Sequence, residues 1–235
     1  MKKFLLFPIA ALFLFASSCQ LDAPVLPKKI DTNGNSNTGN TTGTTTNTTG
    51  TYQPVTKDTY WKTVSTLTPG ITSTATMTGE TQTINGKLYY VANNTFTGNS
   101  NTFKGYYYHG NDNYLLRSTT LIANLTVDFL YLKDNYAIGK TWTATVTDDG
   151  LVNGVPGQII GKIVEQGITK TVGGKKFTDV IHTNLVLQYN MGNGFEDTEI
   201  FDFYMAKNVG IIQVDANIPI ANITSSSTLT DYSVK

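Results

Sequence analysis

Short turn-forming groups interrupt most of the chain at intervals of about eight to twelve residues. They are Asn85-Gly86, Asn93-Asn94, Gly98-Asn99, Gly110-Asn111, Asp149-Gly150, Asn153-Gly154, Gly173-Gly174 and Gly192-Asn193-Gly194. The segments between them are rich in Thr, Val, Ile, Tyr and Phe, which suit a pleated, half-buried surface. No segment shows a convincing apolar stripe at helical spacing. The pattern therefore predicts an all-β chain, with one antiparallel domain over residues 52–235 built as a half-open barrel or a sandwich.

Two segments of the last third, "FTDVIHTNLVLQYN" and "DTEIFDFYMAKN", alternate apolar and polar residues. A register that places Leu185 opposite Phe201 also places Ile181 opposite Met205, with residues 190–196 as the connecting loop. A slip of one residue would exchange the buried and solvent faces, so the pattern constrains this register.

Two turns extend this hairpin into a meander of four strands. Gly173-Gly174 is typical of a two-residue hairpin turn, because glycine adopts positive φ without strain. Lys207-Asn208 is the second predicted turn, and Asn tolerates the same conformation. With these two residues at its centre, Phe203 would lie opposite Ile212.

The stretch "GYYYHGNDNYLLR" is the most unusual patch of the sequence. Alternation places Tyr106 and Tyr108 on one face of a strand and Tyr107 on the other. A turn at Asn111-Asp112 would set Tyr106 opposite Arg117. We predict Tyr106, Tyr108 and Arg117 as candidate ligand-binding residues, since stacked rings with polar tips suit a sugar or an apolar ligand. The alternative is packing on one face and a cross-strand ladder with a cation–π contact on the other.

Few groups could support catalysis. The chain has two histidines and one cysteine. In the register above, His182 lies diagonal to Asp202, which could orient a general base or form an exposed cross-strand pair. No serine lies nearby, so we predict no catalytic residue and no enzyme activity. The alternative is a secreted hydrolase using two carboxylates, whose required separation the sequence does not supply.

An acidic group close to the predicted loop invites a calcium site, since calcium takes several oxygen ligands. Its members are Glu196, Asp197, Glu199 and Asp202. Their spacing matches no loop with fixed ligand positions, and Asp is in any case common at turns. We therefore predict no metal site and no cofactor.

The start of the chain combines Lys2 and Lys3, an apolar run over residues 4–15 and the small residues Ala16-Ser17-Ser18 before Cys19. The run is too short for a membrane span of about 20 residues and is typical of an export signal. With its cysteine, the stretch resembles a bacterial lipoprotein signal peptide with a lipobox of the Bacteroidota type, although Ala16 stands where Leu is most frequent.

That resemblance implies cleavage between Ser18 and Cys19, a signal peptide over residues 1–18, and a diacylglycerol thioether on Cys19. The absence of a second cysteine favours lipidation over a disulfide framework. The alternative is an ordinary secretory signal with a chance cysteine. Residues 19–51 then form a flexible Thr/Asn/Gly linker, since residues 31–51 offer no apolar side chain to bury.

A second resemblance lies in "TVGGKKFTDVIHTNLVLQY" and "FYMAKNVGIIQV", about Thr171 to Val214. These segments are similar to a motif pair of uncharacterised secreted β-proteins of Bacteroidota. The resemblance implies an antiparallel, half-open barrel and no particular activity.

Charge excludes one class of partner. The net charge is zero and Arg117 is the only arginine, whereas nucleic-acid binding depends on clustered Arg and Lys. We expect a lipoprotein of the bacterial cell envelope, in the outer membrane and facing the periplasm or the surface, held to the membrane through the Cys19 lipid. Its β domain would bind a hydrophobic, glycan or protein ligand or have a structural role. A structural surface component without a small ligand is the other alternative.

Overall fold

This computed structural model describes residues 50–119 and 125–235. In that part of the chain there are thirteen β-strands and one short 3-10 turn at Pro219–Ala221. No helix there is long and apolar enough to cross a membrane. The strands are β1 (Tyr60–Ser65), β2 (Thr72–Ile84), β3 (Lys87–Phe96), β4 (Asn99–Gly110), β5 (Asn113–Thr119), β6 (Thr126–Lys133), β7 (Thr141–Thr145), β8 (Leu151–Val152), β9 (Val155–Val172), β10 (Lys175–Asn190), β11 (Phe195–Ala206), β12 (Gly210–Ile218) and β13 (Ile223–Ser233).

Twelve of the strands form one antiparallel sheet in the order β6-β5-β4-β3-β2-β1-β13-β12-β11-β10-β9-β7, and β8 pairs with the start of β9. The two outer strands approach each other. The backbone N–H of Asp128 donates to the carbonyl of Val146 at 2.7 Å, and Trp142 Nε1 donates to the carbonyl of Leu130 at 3.2 Å. The predicted all-β class is confirmed, and the sheet forms a nearly closed barrel.

Large apolar side chains fill the inside of the sheet. Every second residue is buried over residues 183–189 of β10 and 199–205 of β11, including Leu185, Phe201 and Phe203. The ring of Phe129 on β6 meets Phe201 edge to face, with centroids 5.4 Å apart, and Tyr131 stacks on Phe203 at 5.8 Å. Burying a side chain of this size contributes about 1.5–3 kcal/mol, so this aromatic contact favours curling the sheet.

The predicted hairpin register in the last third is confirmed. Leu185 pairs with Phe201 and Ile181 pairs with Met205. The connection between the strands covers residues 191–194 and is shorter than predicted. Gly173-Gly174 forms the expected two-residue turn, with φ angles of 56° and 77° and Val172 opposite Lys175.

The predicted register after Lys207-Asn208 is wrong. Ala206 pairs with Gly210, so the connection has a third residue, Val209, and a bulge follows between Tyr204 and Met205. Phe203 consequently lies opposite Val214, two residues beyond the expected Ile212. Because side chains alternate with a period of two, this shift keeps the apolar residues on the buried face.

The predicted break at Asn93-Asn94 is also wrong, because both residues lie within β3. They pair with Lys104 and Phe103 on β4. A Cβ at the next residue of β4, Gly105, would lie 2.6 Å from Asn94 Nδ2, so a glycine makes room for the Asn94 side chain. Cross-strand packing overrides the turn preference of asparagine here.

One end of the barrel receives the chain from the predicted linker. This tether end consists of the segment before β1, the connections β4–β5, β6–β7, β9–β10 and β11–β12, and the C-terminus, whereas the tip of the β2–β3 hairpin folds over toward Asp148. Gly50 N donates to Asn208 Oδ1 at 2.6 Å, Asn208 N donates to the carbonyl of Thr51 at 2.7 Å, and Tyr131 Oη donates to buried Gln53 at 3.1 Å. The predicted signal peptide, Cys19 and linker residues 19–49 lie outside the described residues.

Candidate functional site

The three predicted ligand-binding residues lie together on the outer face of β4 and β5. Tyr106 pairs directly with Arg117, as expected from a turn at Asn111-Asp112, whose φ angles are 50° and 60°. Tyr107 points into the barrel and contacts the ring of Trp61, with centroids 6.1 Å apart. The predicted alternation of faces is therefore correct, and ligand binding at this patch stays a prediction.

Arg117 is the centre of an ionic group that we call the arginine cluster, formed by Arg117, Asp128 and Asp148. Asp128 lies opposite Arg117 on β6 and accepts from Nη1 at 2.8 Å. Asp148, in the connection after β7, accepts from Nη1 and Nη2 at 2.9 and 2.6 Å. Such bidentate pairing fits the planar guanidinium. Its hydrogen bond with Asp148 raises the pKa of Arg117 and lowers that of the Asp148 carboxyl.

The tip of the β2–β3 hairpin reaches this cluster. The first three residues of β3, next to the hairpin tip, do not pair with β4. Asn85 Nδ2 donates to Asp148 Oδ1 at 2.8 Å, and the Tyr89 ring lies 5.6 Å from that of Tyr108. Tyr89 is almost fully buried, and burial raises its pKa to about 12. The hairpin tip therefore covers part of the predicted tyrosine patch, while Tyr106 stays half-buried.

Asp128 is the one carboxylate of the cluster that is largely buried. Its Oδ1 is buried and has no hydrogen-bond partner. Burial raises the pKa of this carboxyl in spite of the opposing charge of Arg117. The sequence analysis did not predict Asp128 and Asp148 as partners of Arg117. The only available signal was the single arginine itself, since a buried guanidinium requires carboxylate partners.

A second ionic group, the histidine cluster, lies on the outer face of β9, β10 and β11. His182 Nδ1 is 3.1 Å from Glu165 Oε2, and Nε2 is 2.7 Å from Asp202 Oδ1. The predicted diagonal pair of His182 and Asp202 is therefore present. Tyr204 stacks on the imidazole with centroids 4.3 Å apart, and Lys170 Nζ lies 3.5 Å from the centre of the Tyr204 ring.

Burial alone would lower the pKa of His182, but hydrogen bonds to Asp202 and Glu165 outweigh burial, and the pKa is raised. Burial acts to raise the pKa of Asp202, yet hydrogen bonds from His182 and Asn184 lower it. With a carboxylate at each ring nitrogen, the arrangement favours the imidazolium, which only donates hydrogen bonds. Its geometry is that of an ion pair rather than of a free general base.

The acidic residues considered for calcium do not converge. Glu199 is buried, with 2% of its surface exposed, Asp202 binds His182 on the outer face, and Asp197 accepts from Gln188 Nε2 at 2.7 Å. Within residues 50–119 and 125–235, no three His, Cys, Asp or Glu side chains are placed to hold a metal ion.

No protein-family model matches this chain, and no match was found among curated proteins. Two solved structures are similar in fold. One is described as an exported protein with a YmcC-like fold from Bacteroides fragilis NCTC 9343, with 12% identity and a TM-score of 0.47, covering 77% of this chain and 97% of that chain. The other is described as a lipoprotein from Parabacteroides distasonis ATCC 8503, with 13% identity and a TM-score of 0.48, covering 77% of this chain and 98% of that chain. No role is inferred from either likeness.

Proposed function

We propose that this chain is a lipid-anchored protein of the bacterial cell envelope whose β domain has a binding or structural role and no enzyme activity. The observation that carries the anchor is the sequence around Cys19, where an export signal ends in small residues directly before the only cysteine. The two or three acyl chains that such an anchor provides would attach the protein stably, since one chain alone binds only marginally.

The arrangement of the ionisable groups supports a role without catalysis. Arg117 is held by two carboxylates, and His182 lies between two others. Of the two acids on Arg117, burial raises the pKa of Asp128, while the hydrogen bond from Arg117 lowers the pKa of Asp148. A hydrolase using two carboxylates would need them aimed at a bound substrate, whereas both acids here bind the same guanidinium.

The filled interior favours an outer surface of the barrel for the proposed binding role. Large side chains such as Phe129, Phe203 and Tyr131 are fully buried there. A ligand would then contact outer surfaces, and the half-buried Tyr106 beside Arg117 remains the candidate patch. The alternative is a structural role at the cell surface without a small ligand, and the filled interior is equally compatible with it.

Metabolic labelling with a radiolabelled fatty acid tests the anchor. Wild-type protein in its native cells should incorporate label, and Cys19→Ala should not. The matched variant Ser18→Ala keeps a small residue before the cleavage site and should label normally. Unlabelled wild-type protein that retains residues 1–18 would refute the proposed location.

A further inference from the structure

Positive charge is concentrated at the tether end of the barrel. Nine of the twelve lysines in residues 50–119 and 125–235 lie in its connections or within two residues of the strand ends that border them. The exceptions are Lys87, Lys104 and Lys162. By the same measure four acidic residues lie at this end, namely Asp58, Asp112, Asp134 and Asp231. The end therefore carries a net positive charge, although the whole chain is neutral.

The opposite end of the barrel has the reverse charge. By the same measure its charged residues in the described part are Arg117, Asp128, Asp148, Asp149, Glu196 and Asp197. The folded-over tip of the β2–β3 hairpin adds Lys87 near Asp148, and the net charge of this end stays negative. The domain is thus polarised along the barrel axis. A pattern of this kind orients a protein at a charged surface, since the potentials of separate residues add.

The chain from the predicted lipid anchor joins the domain at the positive end. Gly50 is bonded to Asn208, and a Cβ on Gly50 would lie 3.7 Å from Lys207 Cε. The linker consequently emerges beside an exposed lysine and leads back, within about thirty residues, to Cys19. A linker of that length reaches roughly 30 Å on average, so the membrane surface is within reach of this end.

An exposed isoleucine stands at the same end in the β6–β7 connection. Ile138 is 61% exposed, and it lies between Lys133 and Lys140. The Nζ atoms of these lysines lie 5.1 and 4.5 Å from the centre of the Tyr136 ring. Lysines next to an aromatic ring and an exposed aliphatic side chain are suited to the boundary between lipid headgroups and acyl chains.

We propose that the tether end docks on anionic lipid headgroups, with Ile138 inserted at the interface and the acidic end directed away from the membrane. This proposal rests on the proposed lipid anchor, which brings the tether end and the membrane surface together. Docking fixes the orientation of a domain that the linker alone would leave free to rotate.

Vesicle binding tests the docking without the anchor. The mature chain from residue 19, carrying Cys19→Ala, should bind vesicles of phosphatidylglycerol and phosphatidylcholine at low salt and should bind pure phosphatidylcholine weakly. Each lysine near such a surface contributes about fivefold to binding, so Lys133→Gln with Lys140→Gln should weaken binding roughly 25-fold. The control pair Lys87→Gln with Lys104→Gln removes equal charge away from the tether end and should bind like the parent. Equal binding to both vesicle types, or an equal loss in the control pair, overturns the proposal.

A fluorescent label reports which end faces the vesicle. In the Cys19→Ala chain, Ile138→Cys and Ile220→Cys each provide a single cysteine, and Ile220 is 80% exposed at the opposite end. A polarity-sensitive dye on residue 138 should shift to shorter wavelength on anionic vesicles, and the dye on residue 220 should not. A shift at residue 220 alone, or at neither position, refutes the docking. Acylation is absent from these chains, so the fatty-acid experiment can fail or succeed independently.

Discussion

The arginine cluster and the histidine cluster have the same plan and different surroundings. Each places one cation between two carboxylates on the outer face of the sheet. The two cations are equally buried, Arg117 at 8% and His182 at 9% exposed, so the difference lies in their partners. The Asp128 side chain is only 16% exposed, and Asp148, 49% exposed, comes from a connection distant in sequence. His182 has partners on the two neighbouring strands, and the side chains of Glu165 and Asp202 are 50% and 34% exposed.

The difference separates a structural ion pair from a pH-dependent one. Arginine stays charged at every accessible pH, and loss of one partner would leave buried charge behind. Histidine changes charge near neutral pH, and its half-exposed partners can return to water. We therefore expect the arginine cluster to hold the hairpin tip and the β7–β8 connection in place, and the histidine cluster to adjust stability slightly with pH.

The largest effect is expected from Arg117→Met. The substitution leaves Asp128 buried without its cation, and breaking a buried pair in this way costs about 3–5 kcal/mol. The loss in the free energy of unfolding, measured with urea, should shrink as the pH falls and Asp128 takes up a proton. The double variant Arg117→Met with Asp128→Leu should recover most of the stability, because it removes both buried charges. A loss below about 1 kcal/mol in the single variant would mean that the pair is exposed to water.

Gly161→Ala should disturb the arginine cluster although it replaces none of the three residues that form it. A Cβ at Gly161 would overlap the Trp142 indole, so the indole must move and β7 with it. Overpacking of this kind costs about 1–3 kcal/mol, and it should loosen Asp148 beyond the end of β7. Faster amide exchange in residues 146–150, with unchanged exchange around His182, would support this link. Gly157→Ala, at 3.2 Å from a Val152 methyl, is the milder control.

His182→Gln should change the pH dependence of stability. The raised pKa of His182 means that its contribution is fully present below the unfolded value of about 6.5 and is lost as pH rises through the folded pKa. Burial lowers the pKa of His109, so His109 costs stability as pH falls below about 6.5. The variant should lose no more than about 1 kcal/mol at pH ~5.5 and almost nothing at pH ~8.5, well above the unfolded histidine value. Equal losses at both pH values would contradict an ionic role.

Asn85→Gly should have the smallest effect, because residue 85 has a φ of 49°, which glycine adopts without strain. The amide makes one exposed hydrogen bond to Asp148, and surface changes of this kind usually stay within about 0.5 kcal/mol. The urea midpoint should hardly move, while amide exchange at the hairpin tip should increase. Asn222→Gly, at a φ of 53° in the β12–β13 connection, provides the comparison. A loss above about 1 kcal/mol would mean that the hairpin tip contributes more to the arginine cluster than its contacts indicate.

Local patterns were enough to predict part of this fold. The β10–β11 register follows from alternation, and the diagonal approach of His182 to Asp202 follows from that register. The turn at Gly173-Gly174 requires positive φ, which glycine supplies. The turn at Lys207-Asn208 was predicted one residue too short. The added residue and the bulge together leave the same side chains on the buried face, so the apolar alternation cannot reveal them.

The candidate site was less predictable. The turn between Tyr106 and Arg117 was enough to predict that they pair. It could not predict that the tip of the β2–β3 hairpin covers part of this patch. Asp148 lies 31 residues beyond Arg117, and Asn85 lies 63 residues before Asp148. No periodic pattern links positions so far apart in the chain.

The sequence by itself determined the all-β class, the hairpins of the last third and the resemblance that points to a lipid on Cys19, because turn chemistry and alternation are local properties. Tertiary structure alone decided that the sheet nearly closes, that Arg117 is taken up by two distant carboxylates and that lysines gather where the linker joins. Those features depend on how strands far apart in sequence are brought side by side, and burial and charge then act between residues that local patterns do not connect.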